Sequence, residues 1–162
     1  MSSALDFAGT MPDLQAAFEE VARTALGLPE VTVGAPAPTP YPPYQGAYLG
    51  LMGVQGALQI GLASTEEGCQ ALAKRLMGMA DGDPPLEPAE MADAVCEIVN
   101  IVAGAFKGKV RERMGNLTMG LPVFFRGPAQ PTGHTAVKVT LASAGTLTAA
   151  LIIVFPRTET EG

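Results

Sequence analysis

Between Pro88 and Met114 runs a single long helical pattern, and it constrains the fold more than any other part of the chain. At about 100° per residue, Val95, Val99, Val102, Phe106 and Val110 stack in one sector and must face a core. Pro88 stands in the first turn, with acidic Glu90 and Asp93 early and Lys107, Lys109, Arg111 and Arg113 late. That order suits the helix dipole at both ends.

The flanks are mostly extended. Residues 47–53 and 56–62 read as an antiparallel hairpin turning near Val54-Gln55, and their glycines point to something packed close against the sheet. After Gly115 the chain is extended over 116–125, 134–141 and 146–155. The last two runs alternate (Val137, Val139, Leu141; Leu147, Ala149, Leu151) and are joined by Ser143-Ala144-Gly145, a hairpin signal. Nearer the start, Leu14, Phe18, Val21, Ala22 and Ala25 recur at helical spacing over 12–26, and Gly27 and Pro29 stop that helix. A short extended piece follows at 31–33. Residues 34–43 then hold five prolines and read as a semi-rigid loop, able to carry neither helix nor ladder. Ser64 with Glu67 reads as a capping box that opens another helix, its apolar face formed by Ala71, Leu72 and Leu76. The order α-β-ββ-α-α-β-ββ makes this an α+β domain, an antiparallel sheet with helices packed on one face. The domain is expected over residues 12–156, with flexible ends at 1–11 and 157–162.

Composition removes several function classes. With 48% hydrophobic and 16% charged residues, the chain is globular rather than disordered. A net charge of −6 argues against nucleic acid as a partner, because phosphate backbones repel an acidic surface. No apolar run approaches the roughly 18 residues of a membrane-spanning helix. The opening residues contain no Lys or Arg before Arg23, so a secretory signal is not expected either. Cys69 and Cys96 fall in helical patterns and are expected as reduced thiols of a cytoplasmic protein. His134 is the one histidine and has no Cys or carboxylate company, so no metal site is expected. Met52, Met77, Met79, Met91, Met114 and Met119 are expected as core filler.

Opposite the valine stripe of the long helix lie Asp93, Glu97, Asn100, Gly104, Lys107 and Arg111. Glu97 and Asn100 are three apart, so their side chains lie side by side and can reach one target together. Gly104 leaves the ground beside them flat, although Gly costs a helix interior about 1 kcal/mol relative to Ala. Ala94, Ile101 and Ala103 are expected to form a small apolar rim. A Glu and an Asn on a helix face are usually solvated surface, and packing against a strand would also account for the glycine.

The string Asp93-Ala-Val-Cys-Glu97-Ile-Val-Asn100-Ile-Val-Ala-Gly104, with Pro122 a little over twenty residues on, resembles the CheC/CheX phosphatase signature. That signature is an Asp or Ser, a Glu four later, an Asn three after that, and a distant Pro. The resemblance spans about residues 12–155. It implies a phosphatase acting on the phospho-aspartate of a CheY-like response regulator, in chemotaxis or related two-component signalling. In the implied scheme Glu97 and Asn100 are catalytic, Asp93 and Gly104 support them, and Ile101, Lys107 and Arg111 bind the partner. No cofactor is implied for this chain, because Mg²⁺ comes with the receiver. The basic run 107–113 is read first as dipole compensation and second as attraction for an acidic receiver pocket. Glu67-Gly-Cys-Gln70 is a faint second Glu-x-x-Asn/Gln that capping explains better, leaving one site per chain, as in CheX rather than CheC. The resemblance also implies a homodimer paired through its sheets, for which an exposed strand edge is a physically reasonable route. The rival reading is a receiver-binding scaffold, or a flagellar-switch-related protein, with the same fold and no catalysis.

Overall fold

A computed structural model of the chain describes residues 8–37, 44–127 and 133–157. The long helical pattern is realised in full as α3 (Pro88–Met114), with all five residues of its valine-and-phenylalanine stripe buried. Helices α1 (Met11–Thr24) and α2 (Glu66–Leu76) pack against it. All three helices cover one face of a sheet built from β1 (Thr32–Pro36), β2 (Gln45–Gly53), β3 (Gly56–Ser64), β4 (Thr118–Met119), β5 (Val123–Arg126), β6 (Thr135–Ala144) and β7 (Leu147–Pro156). The strand order is β1-β6-β7-β3-β2-β4, with β5 also paired to β2, and every pairing is antiparallel. The architecture is the α+β class expected.

Alternation along the strands explains the layering. Leu49, Leu51, Leu58, Ile60, Leu62, Leu151 and Ile153 point into the helices and join Leu14, Phe18, Leu72, Ile98 and Phe106 in one core. Each such side chain, fully buried, contributes about 1.5–3 kcal/mol. Gly61 shows what the hairpin glycines permit. A Cβ there would lie 3.3 Å from Tyr48 Cβ and 3.7 Å from Ile152 Cβ, so the close approach is by neighbouring strands of the same sheet.

The proline-rich stretch begins differently from the loop expected. Gly34, Ala35 and Pro36 extend β1, which pairs with β6 through Pro36↔Thr140. At a sheet edge a proline without an N–H is tolerated, and Gly34, at φ 99°, takes up a register shift between Val33 and Ala35. Residues 38–43 of that stretch lie outside the described residues. At α2 the cap is Thr65, whose hydroxyl accepts the Gly68 N–H at 3.1 Å. Ser64 is unavailable for capping because it is fully buried at the end of β3 and donates to the Thr148 carbonyl at 2.6 Å. Glu67 is exposed, and the expected capping box does not form.

Residues 116–125 divide into β4 and β5, both against β2. The register moves by one residue between Leu51↔Met119 and Tyr48↔Val123, so Gly120-Leu121-Pro122 bulges where proline has no N–H to give. Residues Ser143 and Ala144 belong to β6, and the last hairpin turns at Gly145-Thr146. Of the methionines, Met91 and Met114 are core, whereas Met52 and Met77 are exposed, at a helix-free strand position and at the C-cap of α2. Of the ends expected to be flexible, 1–7 and 158–162 lie outside the described residues. Thr10 and Met11 are buried, because a short turn of 3₁₀ helix (Ala8–Thr10) leads directly into α1. No helix among the described residues is long and apolar enough to cross a membrane.

Candidate functional site

The exposed side of α3 is a continuous strip because the opposite side is committed to the core. Glu90, Asp93, Glu97, Gly104, Gly108 and Arg111 are exposed, while Asn100, Ile101 and Lys107 are half-buried between them. Every site residue taken from the sequence therefore falls on one face of one helix. The expected apolar rim is smaller. Ala94 and Ala103 are buried in the core, and Ile101 alone remains at the border.

Among the described residues, neither Glu97 nor Asn100 makes a side-chain hydrogen bond or an ion pair. Asp93, one turn earlier, bonds to neither of them. Its charge is felt instead by Cys96, whose thiol is pushed up first by burial and then by Asp93. Cys69 is more extreme, raised by burial to about 11, with a weak sulfur contact to the Gln45 carbonyl at 3.2 Å. Both thiols are free and held in the unreactive neutral form.

Gly104 has no packing role. A Cβ built there meets nothing within 4 Å, and the same holds for Gly108 one turn on. Among the described residues no strand packs against Gly104, so such packing does not account for the glycine there. The sequence reading missed Gly108, although the Gly104-x-x-x-Gly108 spacing was the signal that both stand on one face.

The basic residues of α3 divide by face. Lys109 pairs with Glu20 at 3.2 Å and Arg113 pairs with Asp13, which ties the end of α3 to α1. Lys107 and Arg111, in line with Glu97 and Asn100, have no acidic partner among the described residues. The faint second motif on α2 is used structurally. Gln70 donates to the Leu86 carbonyl at 2.8 Å and accepts the Leu86 N–H at 2.9 Å, so both ends of its amide brace the loop before α3.

The strip on α3 is convex. Two surface hollows among the described residues, of about 400 and 710 Å³, do not include Glu97 or Asn100. A convex face does not by itself enclose a small molecule. Among the described residues no group of three or more His, Cys, Asp or Glu side chains gathers to hold a metal ion.

Comparison with known families decides where this arrangement belongs. The family model described as "Chemotaxis phosphatase CheX" matches residues 48–142, more than half of the chain and the whole of α3. The chain belongs to the CheX family. Solved CheX structures share the fold along nearly its whole length. The chemotaxis protein CheX from Vibrio vulnificus is 19% identical with a TM-score of 0.73, covering 97% of this chain and 100% of that one. CheX from Desulfovibrio desulfuricans is 18% identical with a TM-score of 0.72, covering 92% and 99%. CheX in the CheX–CheY–BeF3–Mg²⁺ complex from Borrelia burgdorferi is 18% identical with a TM-score of 0.62, covering 91% and 97%. At such identities the likeness concerns the fold. No curated protein matches the chain.

Proposed function

We propose that this CheX-family chain is a phosphatase that hydrolyses the phospho-aspartate of a CheY-like response regulator, with Glu97 and Asn100 as its catalytic residues. One observation carries the reading. Two hydrogen-bonding side chains stand together, unpartnered, on a convex helix face beside ground kept bare by glycines that the fold does not need. A solved CheX structure in complex with CheY supports the choice of partner.

A convex site suits this reaction because the receiver brings the electrophile, the phosphate cradle and the Mg²⁺. The helix then has to place one water in line with the bond that breaks and hold the two proteins in register. The water oxygen bonds to phosphorus as the P–O bond to the aspartate carboxylate breaks, giving a free carboxylate and inorganic phosphate. Asn100 orients the water, its carboxamide oxygen accepting and its NH₂ donating, in a geometry that depends on no protonation state. Glu97 pairs with a lysine of the receiver and anchors α3 over the acyl phosphate. Asp93 and Gly104 shape the approach, and Ile101, Lys107 and Arg111 meet the receiver surface around it. Such a partner puts the reaction in the cytoplasm, and the working unit is a pair of copies of this chain.

The test is the lifetime of the phosphorylated receiver with the wild type, Asn100→Ala and Glu97→Ala. Asn100→Ala should lose the acceleration while still binding, and Glu97→Ala should lose affinity as well. Both variants speeding decay as the wild type does would sink the assignment. Binding by the wild type without faster decay would mean a scaffold.

A further inference from the structure

Leu121 is 87% exposed in the bulge between β4 and β5. Single exposed leucines are ordinary on protein surfaces, but this one is held in place. On one side of it the Gly120 N–H donates to the Gly50 carbonyl at 2.8 Å, and a Cβ at Gly120 would stand only 3.4 Å from that oxygen. On the other side Pro122 has a fixed φ and no N–H, and β5 then pairs with β2 from Val123 to Arg126. The Gly127 N–H closes the segment on the Tyr44 carbonyl at 2.7 Å. Pro122, the one residue of the Asp93-to-Pro122 pattern that lies off α3, thus fixes the backbone that presents Leu121. The bulge also flanks the bare ground of the helix. α3 packs on β2 and β5, and its end is level with Gly53, where an added Cβ would lie 3.8 Å from the Met114 carbonyl. From Gly53 to Gly50 the sheet rises about 10 Å, and α3 covers that distance in about seven residues. Counted back from Met114, this reaches Lys107, between Gly104 and Gly108.

We propose that Leu121 is an apolar contact for the receiver that docks on α3, and that it sets which receivers are accepted. The inference rests on the proposed function and names a residue outside the helix for that same interface. A stable interface has an apolar centre inside a polar rim. The α3 strip is polar along its length, and Ile101, half-buried, is its one large apolar side chain. A leucine fixed beside the strip supplies the missing apolar area. Its backbone is already ordered, so little conformational entropy is lost when a partner covers it. Selection follows from the same chemistry. Lys107 and Arg111 attract any receiver with an acidic pocket, whereas Leu121 favours only a partner with an apolar side chain opposite it. A receiver with a charged or amide side chain there would have that group desolvated without a hydrogen-bonding partner.

The test is the decay of a panel of CheY-like receivers, each phosphorylated with acetyl phosphate, in the presence of the full chain or its Leu121 variants. For the receiver that the wild type accelerates most, Leu121→Ser should need about tenfold more receiver for half its maximal rate. The maximal rate itself should be kept, because Glu97 and Asn100 are untouched. Leu121→Met, apolar and similar in volume, should stay within about twofold of the wild type. Both variants should melt as the wild type does, since the side chain is exposed in the free protein. An unchanged half-saturation with Leu121→Ser, or a loss confined to the maximal rate, would overturn the proposal and leave the phosphatase assignment standing. So would a lower sedimenting mass accompanying the lost affinity, which would place Leu121 between copies of the chain. An equal loss against every receiver of the panel would overturn its role in selection. If the wild type binds receivers without speeding their decay, the same tenfold loss is expected in titrations against receivers activated with beryllofluoride and Mg²⁺. A wild type that neither binds nor accelerates any receiver would remove the proposed function and this contact with it.

Discussion

Gly104 costs α3 about 1 kcal/mol of helix propensity, and among the described residues nothing packs close enough to require it. The two roles a helix glycine can have, relief of a clash and a bare surface for someone else, therefore separate experimentally. Gly104→Ala should raise the stability by about 1 kcal/mol, read as a higher denaturant midpoint at an unchanged slope. Gly104→Leu should fold equally well, because its side chain enters open space, yet it should block a receiver from lying against the helix. Phospho-receiver decay with Gly104→Leu at the wild-type rate would show that the bare ground is not used. Asn100 and Glu97 differ from Gly104 in kind. Their side chains spend nothing on the fold, so Ala at either position should change melting little, and any loss of activity belongs to the site.

Helix α3 acts at once as core, clamp and proposed docking surface, and its charges divide accordingly. Lys109 and Arg113 join α1 through Glu20 and Asp13, partly exposed pairs worth at most about 1 kcal/mol each. Lys107 and Arg111 join no acidic group among the described residues, so charge reversal there should leave melting unchanged and weaken receiver binding. Lys107→Glu/Arg111→Glu should cost roughly tenfold in affinity at low salt and much less at high salt, where screening removes the attraction. Lys109→Ala/Arg113→Ala should do the opposite, lowering stability slightly at unchanged affinity. An equal loss of affinity in the two pairs would refute this division. The sequence could show that four basic residues end the helix, but not which ones α1 takes, because Glu20 and Asp13 lie about 90 and 100 residues from Lys109 and Arg113. The same limit explains the other differences. The core stripe, the hairpins and the Glu97/Asn100 neighbourhood follow from local periodicity and were legible. The capture of Ser64 by the Thr148 carbonyl and the pairing of Pro36 with Thr140 depend on partners more than eighty residues distant. They also override strong local signals, a capping box in one case and a proline run in the other.

At the scale of the whole molecule, the sheet is closed by its last strand. β7 lies between β6 and β3, gives Ala149, Leu151 and Ile153 to the helix-side core, and places Ala150 and Ile152 on the other face. Without it β6 and β1 have no attachment to the rest of the sheet. The stretch that carries the family pattern, residues 48–142, stops before β7 and begins after α1. It contains the complete α3 strip but lacks Leu14, Phe18 and Val21 from one end of the core and three aliphatic side chains from the other. Burial at about 25 cal/mol per Å² over so reduced a core does not offset a backbone ordering cost of roughly 1–2 kcal/mol per residue. The fragment 48–142 should therefore be unfolded, with a coil-like far-ultraviolet spectrum and collapsed amide dispersion. A fragment over 8–157, with both ends of the core restored, should melt in one cooperative transition. Cooperative melting of 48–142 would mean that α3 and the β2–β3 hairpin stabilise each other without β7. Helix α3 with that hairpin would then be an independent folding unit.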